Sequence, residues 1–107
     1  RISVDQTGMG EPFVEAAQDK HGASRVEGVL FTSERRFAIA SLLKERMEDR
    51  QFRLPMGDPD LREDMHSITK AVSAAGNVRL VHDGESDGHG DRFWAAALVC
   101  NAADQGY

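Results

Sequence analysis

The stretch from residue 91 to residue 103 constrains the fold more than any other part of this sequence, because it is apolar on almost every side. Its large apolar side chains are those of Phe93, Trp94, Leu98 and Val99. A helix with apolar residues all round needs neighbouring elements that cover more than one of its faces. The sequence therefore predicts a helix that is buried on more than one side.

The first half of the chain alternates strand-like and helix-like patterns. Residues 2 to 4 predict a short strand, and residues 25 to 31 predict a buried strand because their apolar run is compact and β-branched. Between them, residues 11 to 21 predict a helix that Gly22 ends. Ser33 is the predicted cap of a second helix, which extends to about residue 50.

The second half predicts a helix and then a hairpin. Residues 52 to 54 predict a short extended piece, and the Asp-Pro pair that begins at Asp58 predicts the start of a third helix. Residues 69 to 73 and 78 to 82 are β-prone and have a separation close to that of a hairpin. This order of elements predicts an α/β fold with parallel crossovers early in the chain and a hairpin late.

Composition and charge exclude several classes of function. The 107 residues fit one domain, 1–107, and a content of 40% apolar and 29% charged residues is globular rather than disordered. The 13 Lys and Arg residues against 18 Asp and Glu give a net charge of −5, so any nucleic-acid contact has to be local. No apolar run reaches the roughly 18 residues of a membrane span, which predicts a soluble cytoplasmic protein. The single cysteine, Cys100, forms no internal disulfide and is expected to be a buried, inert thiol.

A loop with two glycines follows the first predicted strand. From Asp5 to Gly10 it reads Asp-Gln-Thr-Gly-Met-Gly, and a carboxylate at the end of a strand suits a metal ion or a phosphate. An ordinary Asp/Gly turn explains the same residues equally well. A dinucleotide fingerprint is excluded because its third glycine would fall at Phe13, and a phosphate-binding lysine loop is excluded because no Gly-Lys-Ser/Thr follows.

Residues 82 to 91 contain four carboxylates and two imidazoles. An EF-hand loop that starts at Asp83 is excluded, because its third position would be Glu85 and its twelfth would be Trp94, where a bidentate Glu is required. A structural zinc site would have too few ligands, since only His82 and His89 are near. We expect the acids at positions 83, 85 and 87 to be solvated.

Asp91 differs from these acids because it starts the most apolar helix. We expect burial to hold its carboxylate firmly and the helix dipole to favour its charge. Two-metal phosphodiester chemistry needs carboxylates from distant parts of a sequence, which hold hard cations about 4 Å apart. Asp5 and Asp91 fit this requirement and are predicted to lie close together at the carboxyl edge of the sheet.

Three cations are candidates for contact with a nucleic-acid backbone. Lys70 and Arg79 lie on the predicted hairpin, and Arg92 follows Asp91. A DNA phosphate at an otherwise acidic site would meet positive charge there. The alternative is that all three are ordinary solvated charges of a strand or helix.

Four stretches of the sequence carry a family resemblance. They read Val-Asp-Gln-Thr-Gly-Met-Gly-Glu-Pro, Val-Glu-Gly-Val-Leu-Phe-Thr, Ala-Gly-Asn-Val-Arg-Leu and Gly-His-Gly-Asp-Arg-Phe-Trp-Ala-Ala-Ala-Leu. In this order they resemble the C-terminal nuclease domain of phage terminase large subunits, and most closely the terminase of Mu-like prophages. The resemblance covers nearly the whole chain.

The resemblance implies a ribonuclease H-like mixed sheet flanked by helices. It also implies an endonuclease that uses Mg²⁺ or Mn²⁺ to cut concatemeric or integrated double-stranded DNA during genome packaging, in the cytoplasm of a bacterial host. By motif, Asp5 would be the second metal-binding carboxylate and Asp91 the last, with His89 beside them. The terminase small subunit and the portal would be partners of the parent protein.

The family's first metal-binding Asp lies on a strand upstream of Asp5, in a segment that this chain lacks, as it lacks the ATPase domain. We therefore expect a C-terminal fragment of a larger subunit, without its N-terminal strands. An unpaired strand edge at residues 2 to 4 favours self-association or marginal stability. An incomplete set of carboxylates favours weak Mg²⁺ binding and poor cleavage.

Two other functions are consistent with the sequence. One is a noncatalytic ribonuclease H-like module that serves in assembly or DNA docking. The other is a small nucleotide-binding α/β protein that uses the loop from Asp5 to Gly10. The absence of a phosphate-binding lysine weakens the second of these.

Overall fold

The computed structural model describes residues 1–55, 57–72, 74–76, 78–82 and 90–105. Its elements follow the chain in the order β1 (Ile2–Asp5), α1 (Glu11–His21), β2 (Val26–Val29), α2 (Ser33–Glu48), α3 (Pro59–Ser67), β3 (Ile68–Val72), β4 (Val78–His82) and α4 (Asp91–Gln105). A short 3-10 turn, Gly8–Gly10, leads from β1 into α1. Strands and helices are thus mixed along the chain, as in an α/β fold.

β1 and β2 form a parallel pair that α1 connects. Their register pairs Ile2 with Val26 and Asp5 with Val29, so the two strands end side by side. α1 ends before Gly22, whose φ of 91° lets the chain turn back toward β2. Val26 and Val29, at the two ends of β2, are both buried, so β2 lies in the interior.

β3 and β4 form an antiparallel hairpin. Ile68 pairs with His82 and Val72 with Val78. Gly76, in the connecting segment, has a φ of 84°, a backbone conformation that glycine adopts without strain. Within the described residues the strands therefore form two two-stranded sheets, one parallel and one antiparallel.

α4 is buried on more than one side, as its all-round apolar sequence predicts, but Val99 on its remaining face is 57% exposed. The helix contacts α2, α3 and β1. The buried core cluster consists of Ile39, Ala40, Leu43, Trp94, Ala96, Ala97 and Cys100. Cys100 is 3% exposed, which confirms the prediction of a buried thiol.

Most of the predicted elements are confirmed. α1 begins and ends where the sequence predicts. α3 begins after Asp58, whose carboxylate accepts a hydrogen bond from the Leu61 N–H at 3.0 Å, as a helix cap does. The hairpin is also present, with β3 beginning one residue earlier than predicted. No helix in the described part of the chain is long and apolar enough to cross a membrane.

Two local predictions are wrong. Thr32, not Ser33, caps α2, because Thr32 has an extended backbone and its hydroxyl accepts a hydrogen bond from the Arg35 N–H at 3.1 Å. β2 ends at Val29, two residues before the end of the apolar run. Residues 52 to 54, predicted as a short extended piece, pair with none of the described strands.

Candidate active site

The ends of β1 and β2 meet at one edge of the parallel pair, which we call the carboxyl edge. The hydroxyl of Thr7, after β1, accepts a hydrogen bond from the Phe31 N–H, after β2, at 2.8 Å. This bond takes the Phe31 backbone away from strand pairing, which explains the early end of β2. The Phe31 ring lies 5.5 Å from the Trp94 ring, centroid to centroid. The beginning of α4 therefore lies at the carboxyl edge.

The direction of α4 follows from a second contact, beside the middle of the strands. The Asn101 amide donates to the Ser3 hydroxyl at 2.9 Å and to the Glu27 carboxylate at 2.7 Å. Ser3 and Glu27 are paired with each other in the parallel sheet. Because Trp94 lies at the edge and Asn101 lies beside the middle of the strands, α4 runs antiparallel to β1.

Asp5 ends β1 and is exposed at the carboxyl edge. Its Oδ1 accepts a hydrogen bond from the Thr7 N–H at 2.8 Å, in a turn that holds the carboxylate in one orientation. Gly10 lies against the backbone of Asp5, since a Cβ at residue 10 would collide with the Asp5 carbonyl oxygen. The loop therefore folds tightly against the end of β1. The other carboxylate oxygen, Oδ2, accepts no hydrogen bond from the described residues.

Asp91 is the first residue of α4 and lies at the same end of the molecule as Asp5. It is exposed, so the prediction that its carboxylate is buried is wrong. The buried face of α4 begins at Trp94, three residues later, whereas Asp91 faces solvent. The expected position of Asp91 at the positive end of the helix dipole is found.

The sequence analysis did not identify Asp64, which α3 holds against the beginning of α4. Asp64 is 3% exposed, and its Oδ2 accepts hydrogen bonds from the Arg92 N–H at 3.1 Å and from Arg92 Nη1 at 3.4 Å. Gly90, which precedes α4, has no side chain that could cap the helix, so Asp64 supplies a capping carboxylate from another helix. A signal existed in the sequence, because Asp64 lies on the helical face of Leu61 and Met65, where an acid is unusual.

The three cations predicted to contact DNA have different surroundings. Arg92 is half-exposed and lies 3.4 Å from Asp64 and 3.9 Å from Asp60, so carboxylates of α3 offset part of its charge. Lys70 and Arg79 lie in β3 and β4, in neighbouring cross-strand pairs. Their side chains lie outside the described part of the structure, so their contact with DNA stays a prediction.

The carboxyl edge fits a divalent cation in the type of ligand it offers, because Mg²⁺ and Mn²⁺ prefer carboxylate oxygens. Asp5 and Asp91 are the two candidate ligands there. In the described ranges, no group of three or more His, Cys, Asp or Glu side chains is placed to hold a metal ion. His89 and the acids at positions 83, 85 and 87 lie outside the described residues.

Comparison with known proteins identifies the family. Neither the curated proteins nor the solved structures give a match to this chain. A family model described as the terminase RNaseH-like domain matches residues 1–102, which include β1 and most of α4. The match confirms the expected ribonuclease H-like α/β class and the resemblance to a terminase nuclease domain. The chain belongs to the terminase RNaseH-like domain family.

Proposed function

We propose that this chain is the metal-dependent endonuclease domain of a phage DNA-packaging terminase, of the Mu-like prophage type. The observation that carries the proposal is the carboxyl edge itself, where the end of β1 and the beginning of α4 bring Asp5 and Asp91 to one side of the molecule. The family match over residues 1–102 supports the same assignment. The substrate is double-stranded DNA, concatemeric or integrated, that is cut during genome packaging.

In this proposal Asp5 and Asp91 hold Mg²⁺ or Mn²⁺. When bound, such an ion activates water and stabilises the leaving oxygen of a phosphodiester. The Thr7 N–H orients one oxygen of Asp5 and leaves the other for the ion. Asp64 fixes the first turn of α4, and so the position from which Asp91 reaches the ion. His89 belongs to the same site, as a ligand or as a group that positions water.

DNA has to approach an acidic edge of a chain whose net charge is −5. We assign Lys70, Arg79 and Arg92 to local contacts with its phosphates. The parent protein acts in the cytoplasm of a bacterial host, with the terminase small subunit and the portal as partners.

Metal titration and plasmid nicking test the proposal with matched variants. Asp5→Asn and Asp91→Asn each remove one carboxylate from the carboxyl edge, while Asp19→Asn removes one from an exposed position on α1. We expect each of the first two to weaken Mg²⁺ binding and nicking in the parent protein by at least about 100-fold, since even changes to groups behind the ligands cost up to that much. Asp19→Asn is expected to match the wild type.

Circular dichroism and thermal melts of each variant show whether the fold is kept. Folded Asp5→Asn and Asp91→Asn proteins that bind Mg²⁺ and nick DNA like the wild type would overturn the metal-site assignment. The same titrations on the isolated chain and on the parent protein measure how far the chain alone supplies the site.

A noncatalytic module for assembly or DNA docking is the second candidate function. The observation in its favour is that the described residues bring no third metal ligand to the carboxyl edge. This interpretation predicts DNA binding together with Mg²⁺ binding that does not depend on Asp5 or Asp91. Calorimetric titration of the two Asp→Asn variants separates it from the endonuclease.

A further inference from the structure

Arg36 lies in the first turn of α2 and stacks on a side chain of the carboxyl edge. Its guanidinium carbon lies 4.5 Å from the centroid of the Trp94 ring. Trp94 is 6% exposed and packs against Phe31 at 5.5 Å and Phe93 at 5.0 Å, centroid to centroid. A guanidinium that lies over an indole face is restrained by a cation–π contact, which leaves its N–H donors unused.

The neighbouring Arg35 shows how an arginine is used structurally in this protein. Arg35 Nη2 donates to Asn101 Oδ1 at 3.0 Å and lies 3.7 Å from a Glu27 oxygen. The Arg36 side chain forms no ion pair and no hydrogen bond with any described residue, and only its backbone N–H donates, to the Thr32 carbonyl oxygen. Its Nε is shielded from solvent and has no partner among them. Two adjacent arginines thus differ, because the protein balances the charge of one and not of the other.

The surroundings of Arg36 favour an anion beside it. The first turn of a helix carries a positive dipole end, which disfavours an additional cation that has no partner. The same edge exposes Asp5 and Asp91, which repel DNA phosphates until local positive charge offsets them. Arg92 serves this purpose less well, since it is paired with the buried Asp64. A phosphate at Arg36 would balance the cation and bring the DNA backbone to the acidic edge.

We propose that Arg36 is a DNA contact, in which a guanidinium backed by the Trp94 indole donates to phosphate oxygens of the strand at the carboxyl edge. The proposal rests on the proposed function, because the same edge has to receive the same substrate. Stacking holds the guanidinium in place before DNA arrives, so less side-chain entropy is lost on binding. Its fork of N–H donors matches a pair of phosphate oxygens, and such a contact positions the backbone without reading the bases.

Binding of a double-stranded oligonucleotide, measured against salt concentration in Ca²⁺, tests this contact. Arg36→Gln removes the charge, and Arg36→Lys keeps the charge without the planar group. Arg25→Gln is the matched control, because Arg25 is exposed and precedes β2, at the opposite end of the strands. We expect Arg36→Gln to lower the DNA affinity about tenfold at low salt and the slope of log K against log salt by about one unit. Arg36→Lys restores the slope, and Arg25→Gln leaves both quantities at the wild-type value.

Trp94 supplies a second readout because it is the only tryptophan in the sequence. Its emission is expected to change when DNA engages the stacked Arg36 guanidinium, and to stay constant when DNA is added to Arg36→Gln. Emission spectra and melting curves of the free variants show whether they are folded. If Arg36→Gln does not fold, the comparison of Arg36→Lys with the wild type decides, and a lysine variant with no loss of affinity and no altered emission contradicts the stacked contact.

An unchanged salt slope and affinity in folded Arg36→Gln would overturn the proposal, as would equal losses in Arg36→Gln and Arg25→Gln or no DNA binding by the wild type. Nicking that depends on Asp5 but not on Arg36 would contradict the Arg36 contact and still support the endonuclease function. DNA binding that depends on Arg36, without nicking that depends on Asp5, would support the Arg36 contact and contradict the endonuclease function.

Discussion

The polar residues beside the middle of the parallel strands differ from those at the carboxyl edge in how completely the protein satisfies their hydrogen bonds. In the middle, the Asn101 amide bonds to Ser3, Glu27 and Arg35, which belong to three different elements. At the edge, the Asp5 carboxylate accepts one hydrogen bond from the described residues, and that bond comes from its own loop. The Asn101 amide therefore has hydrogen-bond partners at both its oxygen and its nitrogen, whereas one oxygen of Asp5 has none among the described residues.

This difference separates polar groups that hold the fold from polar groups that are available to a ligand. A buried amide that meets partners on three elements fixes how α4 lies on the strands, and a satisfied network of this kind is costly to disrupt. Exposed carboxylates with unused oxygens contribute little to folding and keep their capacity for a cation. Substitutions should therefore cost stability in the Asn101 network and activity at the carboxyl edge.

The largest loss of stability is expected from Asn101→Leu, which replaces the amide by an apolar side chain of similar size. Residue 101 is 4% exposed, so the substitution removes a buried amide to which Ser3, Glu27 and Arg35 are hydrogen-bonded. We expect the free energy of unfolding in urea to fall by about 2 to 3 kcal/mol. The control, Gln105→Leu at an exposed position of α4, should change it by less than about 0.5 kcal/mol. Equal urea midpoints for Asn101→Leu and the wild type would show that the network is dispensable.

Gly10→Ala tests whether the position of Asp5 at the carboxyl edge depends on the tight loop that follows β1. The added Cβ would collide with the carbonyl oxygen of Asp5, which belongs to the main chain and cannot rotate away by itself, so the loop has to move. We expect a loss of about 1 to 2 kcal/mol in the free energy of unfolding and weaker Mg²⁺ binding, because Asp5 is displaced. Met9→Ala is the matched control, since the side chain next to Gly10 is 86% exposed. Normal Mg²⁺ binding by Gly10→Ala would mean that the loop does not position Asp5.

Asp64→Asn weakens the connection between α3 and the beginning of α4 without removing it. Asparagine still accepts a hydrogen bond from the Arg92 N–H, but it loses the charge that favours the helix dipole and the guanidinium. We expect a loss of about 1 kcal/mol in urea unfolding. Asp60→Asn should cost less than half of that, because the Asp60 side chain is 71% exposed and lies 3.9 Å from Arg92. Equal effects of the two substitutions would argue against a cap supplied by Asp64.

The smallest effect on stability is expected from the buried thiol of Cys100. Burial raises the pKa of Cys100, and attraction to Arg46 opposes part of that rise. The folded state therefore favours the neutral thiol, whose contribution to stability is complete below the pKa of the unfolded chain and is lost as pH rises through the folded value. Urea unfolding at a series of alkaline pH values should show a decline that is shallower in Cys100→Ala. Identical declines in the two proteins would contradict this assignment.

Local patterns were sufficient to predict most elements and one part of the candidate site. The bounds of α1 and the cap at Asp58 depend on residues that are adjacent in the sequence, and both agree with the structure. The position of Asp5 also depends only on a short strand and the glycine loop that follows it. Thr32 and Ser33 show the limit of such patterns, because both residue types cap helices and only the backbone conformation selects one of them.

Contacts between distant residues could not be predicted in the same way. Because α4 is apolar all round, its sequence does not say which side faces the strands, and the partners of Asn101 stayed unknown. The same property made Asp91 look buried, since an apolar helix does not show which residues of its first turn face solvent. The cap supplied by Asp64 requires α3 to reach the start of α4, which depends on the packing of the whole core.

Thr7 forms two hydrogen bonds at the carboxyl edge, one from its N–H to Asp5 and one from the Phe31 N–H to its hydroxyl. The loops after β1 and β2 are therefore mechanically coupled. If the proposed function holds, a displacement of the Asp5 loop on cation binding would pass through Thr7 to Phe31, then to Trp94 and to the guanidinium of Arg36. The cation and DNA would then be linked ligands, and each would change the affinity of the other by the same factor.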